Sequence, residues 1–268
     1  MEQIQNNRVI TDLYRENAQF PGIALDGSDV YLCWQRFVDR HDSLMASCRR
    51  GDEVVWEREI SDGGEVLHPV ILAHGGAIWY AWSEYARENW RILARCYRDG
   101  QWGEVLTVAS GEALFFPRLF TWQGKLHVIW TEQHKGSAAA VLCPLTEAGP
   151  GAAETVSVVG EAYRAGAAEG GDGNLYVAYD GFDGKQYKLF ARARTAAGWS
   201  EEIVVSQGED WASTPWIAAK PDGAVVGWYD YGYMAVYSVR SADLTVRDGA
   251  LAAVNPQCLK EGVDWYLD

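Results

Sequence analysis

Trp34, Trp82, Trp130, Tyr179 and Trp228 lie 48, 48, 49 and 49 residues apart, and each closes a strand-like run: VYLCW, IWYAW, LHVIW, LYVAY and AVVGW. A second series, Pro21, Pro69, Pro117, Ala165 and Pro215, is spaced 48, 48, 48 and 50 and leads the first by 13 or 14 residues. Self-similarity at a fixed period of roughly 20–50 residues marks a repeat architecture. In such a fold each unit buries its apolar face against the next.

Four short strands can be read in each unit. The first follows the proline, as in PVILA and PWIAA. A glycine turn comes next (Gly27, Gly76, Gly124, Gly173, Gly223), with the chemistry of a tight hairpin. The second strand ends in the repeated aromatic. RILARCY and KLFARAR read as third strands, and WGEVLTV and WSEEIVV as fourth strands. No helical periodicity intervenes. The pattern predicts an all-β, five-bladed β-propeller of four-stranded antiparallel blades in a single domain, 1–268. Its repeats run over about 21–61, 69–109, 117–159, 165–206 and 215–240. Val9 precedes Pro21 by 12 residues, as Val105 precedes Pro117, so 8–13 reads as an N-terminal strand that closes the last blade. That leaves 241–268 as a tail, with a degenerate sixth blade as the alternative, because GVDWYLD echoes GAIWYAW.

The units resemble the repeats of bacterial sialidase-like and lectin-like β-propellers over residues 8–240. The shared pattern is P-x-[IL]-A-x-x-G-x-[IV]-[YW]-x-x-W followed by A-R-x-x-x-x-G-x-W. The resemblance implies the architecture and no particular activity, since propellers host unrelated functions. A sialidase would also need three arginines around the ligand carboxylate and a nucleophilic tyrosine. Arg118 and Arg164, near the starts of first strands, are the pair that could serve. Ser61-Asp62-Gly63 is only a fragment of the S-x-D-x-G-x-x-W box.

Charge narrows the partners. The chain has 37 Asp and Glu against 23 Lys and Arg, a net of −14. Such a surface repels nucleic acid and anionic lipid, so neither is expected. A glycan, another small neutral or cationic ligand, or a protein is expected instead. No apolar run reaches the ~20 residues of a membrane helix, and the first residues do not read as a signal peptide. Five cysteines without CxxC spacing suit a reduced, cytoplasmic setting, or a secreted one if a leader has been removed. Cys48, Cys96 and Cys143 recur at one third-strand position and read as small apolar fillers. Neither a cofactor nor a metal is expected, as His41, His68 and His134 form no HxH or HExxH motif.

Two acidic series point to a site. Glu16, Glu65, Glu112, Glu161 and Glu209 precede the first strands, four of them after glycine. Glu84, Glu132, Asp180 and Asp230 follow the period aromatic, where unit one has Gln35. Both series fall in loops of one propeller face, around the mouth of the central channel. Aromatics crowd the same loops: Phe37, Tyr85, Trp90, Tyr163, Phe182, Trp211, Tyr231 and Tyr233. An aromatic face stacks on the C–H surface of a sugar, while carboxylates accept its hydroxyls. The expected ligand site is therefore Glu65, Glu112, Glu161, Glu209, Glu84, Glu132, Asp180, Asp230, Tyr85, Trp90 and Trp211, with no catalytic residues assigned. The expected function is non-enzymatic carbohydrate binding at several similar sites. A glycoside hydrolase using rim carboxylates and a protein-interaction scaffold are the alternatives. Solvated turns with ordinary backbone-capping acids would give the same sequence pattern.

Overall fold

The structure is a computed structural model and describes residues 17–61, 63–208, 210–232 and 237–263. Every described element is a β-strand, and the strands form five separate antiparallel sheets. The inner strands are Asn17–Asp26, Glu65–His74, Ala113–Trp122, Ala162–Glu169 and Trp211–Lys220. Each pairs with a second strand (Asp29–Val38, Ala77–Ala86, Lys125–His134, Leu175–Phe182, Gly223–Tyr231) and then a third (His41–Arg50, Asn89–Arg98, Ser137–Thr146, Tyr187–Thr195, Tyr237–Arg247). The outer strand is continuous in blade 1 (Glu53–Glu59) and blade 5 (Ala250–Val263). In blades 2 to 4 it is broken into two pieces, both paired to the third strand. Inner strands of successive blades pack on one another from blade 1 through blade 5. This is a five-bladed β-propeller.

The period aromatics are core. Trp82 and Tyr179 are fully buried, Trp130 is 1% exposed, and Trp34 and Trp228 are 5% and 2% exposed. Trp82, Trp130, Tyr179 and Trp228 sit in apolar layers sandwiched between neighbouring blades. Cys48, Cys96 and Cys143 are buried and free, and burial pushes the Cys143 thiol up to about 11. These thiols are packing groups held in the protonated form.

The fifth blade corrects the sequence expectation. Residues 237–247 and 250–263 form its third and outer strands, so 241–263 is blade and not tail. The outer strand follows its neighbour in sequence because Asp248-Gly249 makes a tight turn with φ of 51° and 79°. That turn reproduces Asp99-Gly100 of blade 2, at 50° and 79°. The strand 8–13, expected to close this blade, lies outside the described residues.

Candidate functional site

All five inner strands carry a bulge at the same place, immediately before the repeat's proline position. The residue at the kink is Phe20, His68, Phe116, Arg164 or Thr214, with φ of 51°, 53°, 55°, 44° and 53°. Left-handed backbone at a non-glycine residue costs on the order of 1–3 kcal/mol and persists only where its surroundings over-determine it. Proline follows the kinked residue in four blades and Ala165 in blade 4, so the bulged pairing with the second strand is the feature all five share. A bulge also re-aims a side chain. The five kinked residues all line one central channel of about 710 Å³, together with Arg118. Unlike the period aromatics, they are of four kinds: Phe in blades 1 and 3, and His, Arg and Thr in the others.

Three of them form an aromatic arc. Phe20 meets His68 edge-on with centroids 4.9 Å apart, and His68 lies 4.3 Å from Phe116. Burial, with Arg118 nearby, pushes the His68 imidazole down to about 4, so it is neutral at ordinary pH. Its Nδ1 has no partner among the described residues. Arg164 closes the arc from blade 4. Its Nε donates to both Asp180 oxygens, at 3.0 and 3.1 Å, and its Nη2 also bonds Asp180. Burial raises the Asp180 carboxyl, while Arg164 and the backbone of Thr214 act in the opposite direction. The bidentate geometry makes this an ion pair. Arg118 lines the channel and makes no ion pair among the described residues; its surface is open to the bore, while the crowding channel walls desolvate it and lower it.

The channel opens into a mouth of about 370 Å³ lined by His68, Phe115, Phe116, Gln133, Tyr163, Arg164 and Tyr187. Desolvation raises the Tyr163 phenol, with the neighbouring Tyr187 and Glu161 acting in the same direction. Inside an acidic protein, the bore is therefore aromatic and cationic.

Among the described residues, acids of both series stand at one end of their blades. Strand register sets Val66 against Glu84, Leu114 against Glu132 and Ala212 against Asp230, each beside the start of an inner strand. They do not form a ring of open acceptors. Glu84 is fully buried, bonded to Arg91 and to the indole N–H of Trp82 at 3.1 Å. Asp230 is 3% exposed and 2.6 Å from Arg240. Asp180 is also fully buried, and it belongs to a different row. It pairs with Tyr163, the register position that Gln35, Ser83, Thr131 and Tyr229 hold elsewhere, one residue off from Glu84. Since side chains alternate across a strand, that single residue moves it to the other blade face. Burying these acids required partners, and the cross-strand arginines supply them. Gly64, just before Glu65, is glycine because a Cβ there would collide with the tucked Glu84 side chain.

The remaining acids are peripheral. Glu65 is exposed opposite Tyr85. Glu112 pairs with His134 Nδ1 at 3.0 Å on the surface, Glu132 is half-buried, and Glu161 accepts the Phe182 N–H through its carbonyl. Glu16, Glu209 and Tyr233 lie outside the described residues. Of the aromatics, Tyr85 packs tilted against Trp90 (5.3 Å), and Trp90 meets Phe115 edge-on (4.6 Å). Trp211, 42% exposed, bridges Tyr187 and Tyr231.

No family model and no curated protein matches the sequence. Solved structures do match. A puromycin-hydrolysing peptidase of Mycobacterium tuberculosis superposes with a TM-score of 0.59 at 16% identity over 92% of this chain, which spans 37% of the peptidase. A subtype N10 neuraminidase-like protein of A/little yellow-shouldered bat gives 0.58 at 9% identity, covering 91% of this chain and 82% of its own. An endo-arabinase of Bacteroides thetaiotaomicron gives 0.53 at 11% identity, covering 86% and 95%. At such identities the likeness is one of fold, the β-propeller that glycoside hydrolases also use.

Proposed function

We propose that this propeller serves a carbohydrate-related function, binding a sugar that carries an anionic group at one site in the channel mouth. The observation that carries the reading is Arg118: a guanidinium facing the bore, without a carboxylate partner among the described residues, beside Arg164 and an arc of Phe20, His68 and Phe116. Arginine matches carboxylates in bidentate geometry, and the aromatic arc offers faces to a sugar ring. Because the five bore residues are of four kinds, one asymmetric site replaces the several equivalent ones expected from the repeat. The net charge of −14 would favour neutral or cationic ligands at long range. At contact distance the bore arginines outweigh it, since long-range terms are screened within about 10 Å at 0.1 M salt. The carbohydrate class is further supported by the endo-arabinase and the neuraminidase-like protein that share the fold.

Titration calorimetry with galacturonic acid against galactose tests this. Binding of the acid alone, lost in Arg118→Gln, is the expected result. Folded protein that ignores the acid would end the proposal.

A hydrolytic reading has one observation in its favour. Tyr163 lines the same mouth as Arg164, and the Glu161 carboxylate acts electrostatically on its phenol; a hydroxyl near a carboxylate base is a nucleophile arrangement. Release of reducing sugar by the native protein, abolished in Tyr163→Phe with binding retained, would decide for the enzyme.

A further inference from the structure

The rim is unequal in a way that the bore does not explain. Four residues before each proline position, an inner-strand residue faces one on the second strand, which in turn faces one on the third. These rungs are Asn17–Phe37–Asp42 in blade 1, Glu65–Tyr85–Trp90 in blade 2 and Ala113–Gln133–Ala138 in blade 3. In blade 4, Glu161 bonds Phe182, which faces Tyr187. Blade 5 has Trp211–Tyr231–Tyr237, aromatic at every strand.

Cross-strand partners project from the same sheet face about 4.8 Å apart, so the blade 5 rung is a row running outward from the axis. Centroids are 5.8 Å apart from Trp211 to Tyr231 and 5.4 Å from Tyr231 to Tyr237. The row joins the channel mouth without a gap. Tyr187 lies 5.5 Å from Trp211 and 6.2 Å from Tyr163, and both Tyr187 and Tyr163 line the mouth. Trp211, at the middle of the row, is 42% exposed. A repeat that needed only packing here would not spend its largest side chain on a surface position in one blade out of five. The inner end of the row is the cationic end, where Tyr187 and Arg164 line the same mouth.

We propose that Tyr187, Trp211 and Tyr231 are stacking subsites for an oligosaccharide whose anionic unit sits in the channel and whose remaining units extend outward over blade 5. The inference rests on the channel reading above and adds the ligand's length and direction. Each aromatic offers its exposed surface to one sugar ring, so affinity grows with chain length until the row is covered. The row contributes stacking, and the arginines contribute the charge requirement.

The test titrates native protein and the Trp211→Ala variant with galacturonic acid and with its dimer, trimer and tetramer. Native Kd falls about tenfold from monomer to trimer, which is ~1.4 kcal/mol. Trp211→Ala erases that gain and leaves the monomer Kd unchanged. Its surface position keeps the fold intact, to be checked by an unchanged melting temperature, and Tyr231→Ala gives a second variant at the same row. Equal affinity of native protein for monomer and tetramer overturns the row while leaving the channel site standing. Loss of monomer binding in Trp211→Ala also overturns it, because Trp211 would then belong to the channel site. Native protein that binds none of the four removes the channel reading and the row together. A neutral oligomer with the same length dependence would keep the row and remove the arginine requirement.

Discussion

The aromatic that ends each second strand and the residue that precedes each inner-strand proline recur with the same period, yet they have opposite histories. At the first position the side chain is Trp four times and Tyr once, 5% exposed or less. At the second it is Phe, His, Phe, Arg and Thr, all on one backbone conformation and all facing the bore. The packing position meets a nearly identical neighbouring blade each time, and close-packed interiors tolerate little volume change. The bore position meets solvent, so its backbone is held by the fold while its side chain is open to specialise. Symmetry of surroundings, more than the repeat itself, decides which positions stay alike.

Truncation at the packing position should have the largest effect. Trp82→Ala is expected to destabilise by roughly 3–5 kcal/mol, read from the urea midpoint, and Trp130→Ala by a similar amount. A cost under about 1 kcal/mol at either would break the distinction. Next comes Arg164, which belongs to both sides of it. Arg164→Ala strands the buried Asp180 carboxylate and should cost about 3 kcal/mol. The double variant with Asp180→Asn should recover much of that. No recovery would mean that the pair is not what supports blade 4.

His68 sharpens the comparison through pH. Its folded value, about 4, is below the 6.5 of an unfolded histidine, so between those values the unfolded state holds more protons. Stability therefore rises with pH across that window and falls on acidification toward 4, by on the order of 3 kcal/mol from this group. His68→Phe should flatten that part of a melting profile taken between pH 4 and 7. An unchanged slope would place the imidazole in water. The smallest expected effect on stability is at Arg118. Arg118→Gln removes a side chain with no ion-pair partner among the described residues, so the melting temperature should hold or rise slightly while binding of galacturonic acid disappears. A clear loss of stability would make Arg118 structural.

Much of this architecture could be read from residues alone, and the exceptions are instructive. The blades were legible because Trp82 or Trp130 must recur wherever one sheet packs on the next. The end of blade 5 was obscured because Ala250–Val263 has no Gly-x-Trp turn. Yet Arg247-Asp248-Gly249 repeats the Arg98-Asp99-Gly100 turn of blade 2, and its hairpin chemistry was the available signal. Glu84 and Asp230 looked like open acids because a sequence does not show which arginine stands across a ladder. Arg91 and Arg240 are third-strand residues, and only strand pairing brings them within reach. Asp180 joined the wrong row through a one-residue offset. The kinked bore residues had one trace in sequence: the position before each proline carries five side chains of four kinds where its surroundings repeat.

By itself the sequence determined the repeat, the all-β class and the aromatic core, because period, turn glycines and alternation are local patterns tied to local geometry. The tertiary structure decided which charges are spent on one another and which face the bore. That depends on cross-strand register and on five backbone kinks converging on one axis, and both follow from contacts between residues tens of positions apart.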